Sequence, residues 1–492
     1  MVRLVCSNRH VRIDGVPEKA LKRLDQVTSY LVQGHRYSKA FRTHRWDGRE
    51  HLLVWRERTE VPGFYLPIGL LRETVGFLND NGIEHELDMS GRGRLRLPIK
   101  YEWNPEFKLR PYQLEAVQAM TTGFLPGMGI VKSPPRSGKT LTAARIVAEL
   151  QAPALFIVPD RWLLHQTWEC LEKVLQVKVG RLGDSIWQVQ DVTVATAGTL
   201  LSRRGGTRIR TVEGGRKIKV AVPQDPEYTR LRGRFDLVLF DEAHHLKGEE
   251  WHKVFMDFDA FYRVGLSATA FPDHDHEQGK GGIWLKACCG GVRVDISTST
   301  LIEEGYLVRP TIELHEIKEP NLHGLDWDPD LLNLAVYQNE GRNEKIADIA
   351  RDLVSRRRLK VLVVTNRKEQ VRRLLPLLQR RGLRCHEVTG ETATPDRKGK
   401  VRDFLDGTVD VLVGTVFGEG VDIPAIEAVI NAEGGRDIKA TIQRMRNLTT
   451  AEGKTQAVFV DFLDMTNPYL AAHSLERLRV YRSERAFIVK VV

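Results

Sequence analysis

Val238-Leu239-Phe240-Asp241-Glu242-Ala243-His244-His245 decides how this chain is read. Apolar β-formers run directly into two adjacent carboxylates. The pattern is that of a buried strand presenting acid at its C-terminal edge, where open α/β sheets bind ligands. One carboxylate can hold Mg2+ through water, and the next can orient an attacking water. A buried strand before an acidic turn is common, so this stretch alone leaves a structural reading open. Its partner lies upstream, in Ser133-Pro-Pro-Arg-Ser-Gly-Lys-Thr140. Gly129–Val131 reads as a strand entering that loop, and Thr140–Leu150 as the helix leaving it. A loop at a helix N-terminus turns backbone N–H groups and the positive end of the helix dipole toward a phosphate. Ser137, Gly138, Lys139 and Thr140 are therefore expected to bind ATP. Lys139 would reach the β/γ-phosphates, and Thr140 and Asp241 would hold Mg2+. Glu242 would position the hydrolytic water. His244 is either a local cap or a coupling group. Ser133 and Arg136 stand where such loops usually carry glycine.

The alternation of strand and helix continues outward. Ala154–Val158, Val192–Ala195 and Tyr262–Ser267 are further strands of the first block. A second block contains the strands Val361–Val364, Arg384–Val388, Val409–Val413, Ala428–Ile430 and Ala457–Val460. Its helices are Arg342–Ser355, Glu369–Arg380, Arg397–Leu405 and Ile438–Met445. The class is α/β: two tandem parallel-sheet lobes, 101–305 and 306–492, with a cleft between them. Residues 1–100 read as a small α+β domain. Its elements are a hairpin (Val2–Val5 with His10–Ile13), a helix over Pro17–Val32, a turn at Trp46-Asp47-Gly48, a strand at His51–Trp55 and a helix over Ile68–Asn79. Ser90–Arg96 is either a linker or a phosphate-contacting arm.

Charge narrows the partner. The 492-residue chain carries a formal net charge of +10. Residues 1–100 hold 18 Lys and Arg against 12 Asp and Glu, and residues 202–234 hold 10 against 3. Positive charge concentrated in this way points to a polyanion. No apolar run approaches the roughly 18 residues of a membrane helix, and the start has no signal-peptide core. The five cysteines lack metal-site spacing, which fits a reducing cytoplasm. Cys288-Cys289 reads as a pair of small core residues. His274-Asp275-His276 lacks further ligands nearby and is not taken as a metal site. Trp251-His252 reads as helix surface.

Gln113, Gly138-Lys139-Thr140, Asp241-Glu242-Ala243-His244, Ser267-Ala268-Thr269, Gly414-Thr415 with Glu419-Gly420-Val421-Asp422, and Gln443-Arg444-Met445-Arg446 fall in one order along the chain. As a set, spanning about residues 107–465, they resemble the motifs of DEAH-type superfamily 2 helicases. The resemblance implies two RecA-like lobes that bind ATP between them. It implies that Gln113 and Arg110 read adenine and that Ser267 and Thr269, with His244, couple ATP state to lobe closure. It implies that Gly420 and Asp422 contact ATP, and that Gln443 and the arginine finger Arg446 face the γ-phosphate. Thr196 and Thr199 in the first lobe, and Thr365, Asn366, Thr389, Gly390 and Thr415 in the second, would hold the tracked strand by its phosphates. Arg45-Trp46-Asp47-Gly48 and Leu66–Leu71 resemble the accessory domain of phage UvsW-type helicases, which implies that Trp46 contacts DNA. Bacterial and archaeal XPB-type relatives share a similar layout.

Two departures matter. If Gln443-Arg444-Met445-Arg446-Asn447-Leu448-Thr449 lacks one glycine of the usual motif, as the downstream Ala451–Lys454 favours, Arg446 is the first finger and Thr449 replaces the second; without that deletion Asn447 and Thr450 take those positions. Slow hydrolysis follows if that charge is needed at the transition state. Residues 202–234 interrupt the first lobe with a basic hairpin. Arg208, Arg210, Arg216, Lys217 and Lys219 are expected to contact duplex or fork DNA, against the alternative of a plain surface insertion. The expected protein is a monomeric, ATP- and Mg2+-dependent DNA helicase or translocase. It would act on forks, Holliday junctions or displaced loops in the cytoplasm (a host's, if phage-encoded), with no membrane partner. RNA unwinding, or DNA annealing with weak ATP turnover, are the alternatives.

Overall fold

The computed structural model describes residues 1–32, 34–57, 60–211, 217–268, 280–392, 394–415, 423, 425–435, 454 and 456–492. At 208–211, 217–219, 280, 281, 329, 394 and 395 only the backbone is described. Two compact units divide the chain: Met1–Pro134 with Gly138–Ile296, and Pro135–Ser137 with Ser297–Val492.

The first unit is built on a sheet ordered Ile186–Gln188, Val179–Gly183, Val192–Thr196, Ala154–Val158, Leu237–Asp241, Tyr262–Ser267, Met128–Lys132, Val292–Asp295. All neighbours are parallel except the first pair. Ala154–Val158 and Leu237–Asp241 are buried at every position, as expected of parallel strands covered on both faces. Period-two alternation divides their side chains. Leu237 and Leu239 join Ile146, Val147 and Leu171 in one core, while Val238 and Phe240 join Phe255, Phe258 and Cys288 in the other. The chain leaves Met128–Lys132 and returns as Ala154–Val158, and the strands Leu237–Asp241 and Tyr262–Ser267 fill the two positions between. The strand order therefore switches around the acidic strand, which is where such sheets form a binding crevice.

Residues 1–91 add a mixed sheet ordered Val54–Arg56, Gly63–Pro67, His10–Asp14, Val2–Ser7, His85–Gly91. The first hairpin is as expected, with Leu4 opposite Ile13. The helix expected over Pro17–Val32 stops at Val27. Ser29–Leu31 is instead a strand paired antiparallel to Arg49–His51. Val27 and Leu31 are largely exposed, so only part of the expected stripe faces inward. The β-favouring run Thr28-Ser29-Tyr30-Leu31 wins over the helical period once a partner strand is available. The strand expected over His51–Trp55 is split between Arg49–His51 and Val54–Arg56.

This domain is seated on the lobe that follows it. Val2, Leu4, Ile68 and Leu70 share a core with Leu125, Met128, Ile283 and Ala287. Arg263, fully buried, donates to the carbonyls of Asn8 (3.1 Å), Phe255 (3.3 Å) and Phe258 (2.5 Å). Arg9 Nε donates to Met256 O at 2.8 Å. Ser90–Arg96 proves to be a strap. Arg92 donates to Phe261 O at 2.5 Å, Arg94 donates to Gln151 O, and the Leu95 and Arg96 amides donate to buried Asp236. The Arg92 and Arg94 side chains are thus committed to the lobe, which favours the linker reading over the phosphate arm. His252, expected on a helix surface, is buried and stacks on Trp284 at 3.7 Å. Cys288 and Cys289 are free and buried, and burial pushes the Cys288 thiol up to about 12, so both behave as core residues. The expected basic hairpin forms, with Gly206–Thr211 antiparallel to Lys217–Val222.

The second unit holds a parallel sheet ordered Cys385–Val388, Val411–Gly414, Val361–Val364, Ala428–Asn431, Val458–Asp464, Thr311–Ile317, Ile488–Val491. The last two strands and the helix Pro468–Ser483 extend beyond the sequence reading. Two buried ion pairs brace this lobe: Arg342 with Asp464 and Arg477 with Asp461, each at 2.8 Å. The helix expected over Ile438–Met445 lies outside the described residues. No helix among the described residues is long and apolar enough to cross a membrane.

Candidate nucleotide site

The loop from Ser133 to Thr140 joins the strand Met128–Lys132 to the helix Lys139–Leu150. Gly138 caps that helix with φ +76, and a Cβ there would lie 2.4 Å from Gln113 Nε2. Only glycine meets both constraints. Arg136 adopts φ 66, a left-handed conformation that glycine would take without cost. This is the position where the loop departs from the usual pattern. Lys139 Nζ donates to the carbonyls of Ser133 and Pro134, both at 3.4 Å, which holds the ammonium across the loop. Thr140 follows in the first turn of the helix, half-buried. Buried Ser137 precedes the glycine. Gln113 is buried; its Oε1 accepts the Arg110 amide at 2.8 Å and its Nε2 donates to Gly138 O at 3.4 Å. Arg110 in turn donates to the Tyr112 hydroxyl at 3.3 Å. The adenine-reading candidates are thus bonded to the phosphate loop.

Asp241 closes its strand, buried, with Oδ1 accepting the Glu242 amide at 2.9 Å. Glu242 takes φ 53, which turns the chain sharply at the sheet edge. Such left-handed non-glycine backbone is tolerated where the surroundings over-determine it, often at functional sites. Buried His244 places Nδ1 3.4 Å from Glu242 Oε2 and 3.4 Å from Ser267 Oγ. One ring nitrogen thus stands between the carboxylate and the serine. A protonated Nδ1 would donate to Glu242, and a bare Nδ1 would accept from Ser267. Ser267 ends its own strand fully buried, and its carbonyl accepts the Ser133 amide at 3.0 Å. The Ser133 amide, Ser267 and His244 are therefore one bonded line along the sheet edge, and Glu242 Oε2 lies 3.4 Å from its end. Thr140 and Asp241 supply a hydroxyl and a carboxylate, hard oxygen donors of the kind Mg2+ takes, and the helix N-terminus suits a phosphate. The side chains fit an ATP–Mg2+ group.

The other candidates are distributed as follows. Thr196 ends its strand and caps the helix Ala197–Arg204; its Oγ1 accepts the Thr199 amide at 3.2 Å and lies 2.8 Å from Thr199 Oγ1. In the second unit, Thr365–Asn366, Thr389–Gly390 and Thr415 follow the C-terminal ends of three neighbouring strands. Thr365 is buried and donates to Gln370, while Asn366, exposed, donates to Glu433. The Thr389 amide donates to Thr392 Oγ1 at 3.0 Å, and Gly390 is exposed. Trp46 donates its indole N–H to Arg49 O at 2.7 Å and so closes its own turn. Thr269, Arg216, Gly420, Asp422, Gln443 and Arg446 lie outside the described residues, as do His274–His276. The side chains of Arg208, Arg210, Lys217 and Lys219 are likewise not described. Sequence reasoning missed Arg263 and the Ser133–Ser267 bond. A lone charge inside the apolar run Tyr262-Arg-Val-Gly-Leu266 was the available signal for the first.

The comparisons with known proteins agree with this arrangement. A family model described as the res subunit of Type III restriction enzymes matches residues 106–271, and one described as the helicase conserved C-terminal domain matches residues 344–446. The chain is 25% identical over 408 residues to the DNA 3'-5' translocase XPB2 of Sulfurisphaera tokodaii, covering 73% of this chain and 82% of that protein. It is 21% identical over 530 residues to the ATP-dependent DNA helicase uvsW of Enterobacteria phage T4, covering 98% of this chain and 97% of that one. Several further relatives are longer, and the chain spans about half to two thirds of them. Among solved structures, S. cerevisiae Dbp5 bound to RNA and ADP BeF3 matches in fold with a TM-score of 0.53 and 17% identity, over 78% of this chain and 89% of that one.

Proposed function

This chain is a superfamily 2 helicase, an ATP hydrolase with two RecA-like lobes, and we propose that it is a DNA translocase that remodels branched or duplex DNA. The observation that carries the reading is the bonded line from Ser133 through Ser267 to His244, whose Nδ1 stands 3.4 Å from Glu242 Oε2. When bound, ATP with Mg2+ supplies the phosphoryl group whose transfer to water drives the motor. Lys139 leaves its two loop carbonyls for the β/γ-phosphates. Thr140 and Asp241 hold the metal, and Gln113 with Arg110 holds the base. Glu242 accepts a proton from the attacking water or orients it. His244 then exchanges one hydrogen-bond partner for the other, which passes the change to Ser267 and its strand. Gln443 and Arg446 act from the second lobe. Thr199, Asn366, Gly390 and Thr415 hold a strand by its phosphates, and the basic hairpin at 202–234 adds duplex contacts. Both the DNA 3'-5' translocase and the phage DNA helicase support DNA as the substrate.

The test is ATP turnover with single-stranded, duplex and forked DNA and with RNA in parallel, using Glu242→Gln as control. Stimulation by forked or duplex DNA, lost by about 100-fold or more in the variant, is the expected result. Stimulation by RNA alone would replace the substrate. A second reading, strand annealing with slow hydrolysis, is favoured by Thr449 in the shortened last motif; tight DNA binding without turnover would select it.

A further inference from the structure

Between the paired strands Ser29–Leu31 and Arg49–His51, residues 32 and 34–48 form a tip in which only the turn at Arg45–Gly48 falls in a motif. From Gln26 to Trp46 the sequence contains no Asp or Glu. Within the tip stand Arg36, Lys39, Arg42 and Arg45, all exposed, with Tyr37 beside them at 86% exposure. Among the described residues, none of these four cations has a carboxylate within ion-pair distance. Elsewhere in the same domain several cations are paired: Arg3 with Asp88 at 2.8 Å, Arg12 with Asp14 at 2.9 Å and Lys22 with Glu18 at 2.7 Å. Repulsion among four grouped cations is a cost that an ordinary solvated surface relieves by interspersing acid.

The tip is also built rather than loose. Val32 N donates to Gly48 O at 2.8 Å, and Arg45 N to Ala40 O at 2.9 Å. His35 packs edge-on against Phe41 at 4.7 Å, with Nδ1 2.9 Å from Val32 O. Gly48, at φ +83, lies so close to the His35 ring that a Cβ would sit 2.8 Å from it. With this small core spending His35, Phe41 and Trp46 inward, Tyr37 is left outward. The stem is anchored as well: Tyr30 is buried in the core shared with Ile283 and Ala287 of the adjoining lobe. What the tip binds therefore moves with that lobe.

We infer that this tip is a binding site for DNA at a junction between duplex and single strand. Arg36, Lys39, Arg42 and Arg45 hold backbone phosphates, and Tyr37 stacks on the base exposed where the duplex ends. Phosphate contacts suit unpaired cations on a rigid frame, and an exposed aromatic ring offers a face to any base. The inference rests on the reading of the chain as a DNA motor and adds the surface and the DNA feature it recognises.

The experiment uses the full chain and fluorescence anisotropy on a forked DNA and a blunt duplex of the same sequence, across a salt series. The triple variant Arg36→Ala, Arg42→Ala, Arg45→Ala should lose on the order of 100-fold in affinity for both and flatten the salt dependence by about three units. Tyr37→Ala should lose about tenfold on the fork and nothing on the duplex. A triple variant that binds within about twofold of the wild type, with its salt slope intact, would overturn the site. A Tyr37→Ala loss that is equal on both DNAs, or absent on both, would overturn the junction preference. Melting temperature and DNA-free ATP turnover serve as controls, since the substituted side chains are exposed and outside the nucleotide site. Failure of the DNA-motor reading itself appears differently, as a wild type that neither binds DNA nor is stimulated by it.

Discussion

Both lobes bury arginine beside their sheets, and they treat it in opposite ways. In the second, Arg477 pairs with Asp461, which also accepts the Tyr481 hydroxyl, and Arg342 pairs with Asp464. Burial alone would lower the Arg477 pKa, but Asp461, Tyr481 and Asp464 outweigh it and hold the group above its ordinary value. In the first, Arg263 donates to the carbonyls of Asn8, Phe255 and Phe258, and burial pushes it down to about 10. The contrast separates two uses of a buried cation. Arg477 and Arg342 brace the lobe they belong to, with charge matched by charge. Arg263 collects backbone carbonyls, one of them 255 residues away in the N-terminal domain, and so fastens one domain to another. It does this from the strand that ends in Ser267, at the nucleotide site.

The sharpest break in that comparison is Arg477→Met. It strands Asp461 in the core and should destabilise the second lobe by about 3–5 kcal/mol, read from its urea transition. Replacing both partners, Arg477→Met with Asp461→Leu, should restore most of the loss. A double variant as unstable as the single one would mean that packing, and not the uncompensated charge, sets the cost. Arg263→Met should cost less, about 2–3 kcal/mol, because it leaves carbonyls and no charge unpaired. Its signature is local: amide hydrogen exchange across residues 2–14 should accelerate while the second lobe is unchanged. Unaltered exchange there would remove Arg263 from its fastening role.

The smallest effect concerns His51, set between Asp25 at 2.7 Å and Asp47 at 3.0 Å. Partial burial would lower its pKa, but the two carboxylates outweigh burial and raise it above the ordinary 6.5. A group with a raised folded pKa stabilises fully below its unfolded value and loses that contribution as pH rises through the folded value. The site is about one-third open to solvent, so the effect should be about 0.5 kcal/mol after screening. The melting-temperature gap between wild type and His51→Gln should shrink as pH rises above the ordinary histidine pKa of about 6.5. A gap constant over that range would show that His51 acts without its charge.

The candidate nucleotide site was legible because its signal is local. A strand, a glycine–lysine loop and a helix lie within one short stretch, and Asp241 and Glu242 end an unmistakable apolar run. The short edge strands Ile186–Gln188 and Val292–Asp295 went unread. Edge strands carry mixed burial and so lack the solid apolar pattern of the centre. The helix Glu18–Val27 was overextended because Leu31 continues a helical period that pairing with Arg49–His51 overrides. The fastening of Asn8 by Arg263 joins distant positions with no sequence period between them, and only a fold brings them together. The acid-free run from Gln26 to Trp46 was visible in the letters. Its meaning depended on knowing that its cations stay unpaired.

The shared core has a consequence for how the chain comes to be folded. Val2, Leu4 and Ile68 complete their packing only against Leu125, Met128, Ile283 and Ala287. Contacts that close such long loops form late, because the entropy of closure must be met before they contribute. During synthesis the N-terminal sheet therefore waits, its inner face uncovered, until the helix Lys280–Cys289 has been made. A segment made well before its packing partner is thus among the last to be finished, and over that interval its uncovered face is exposed to misassociation.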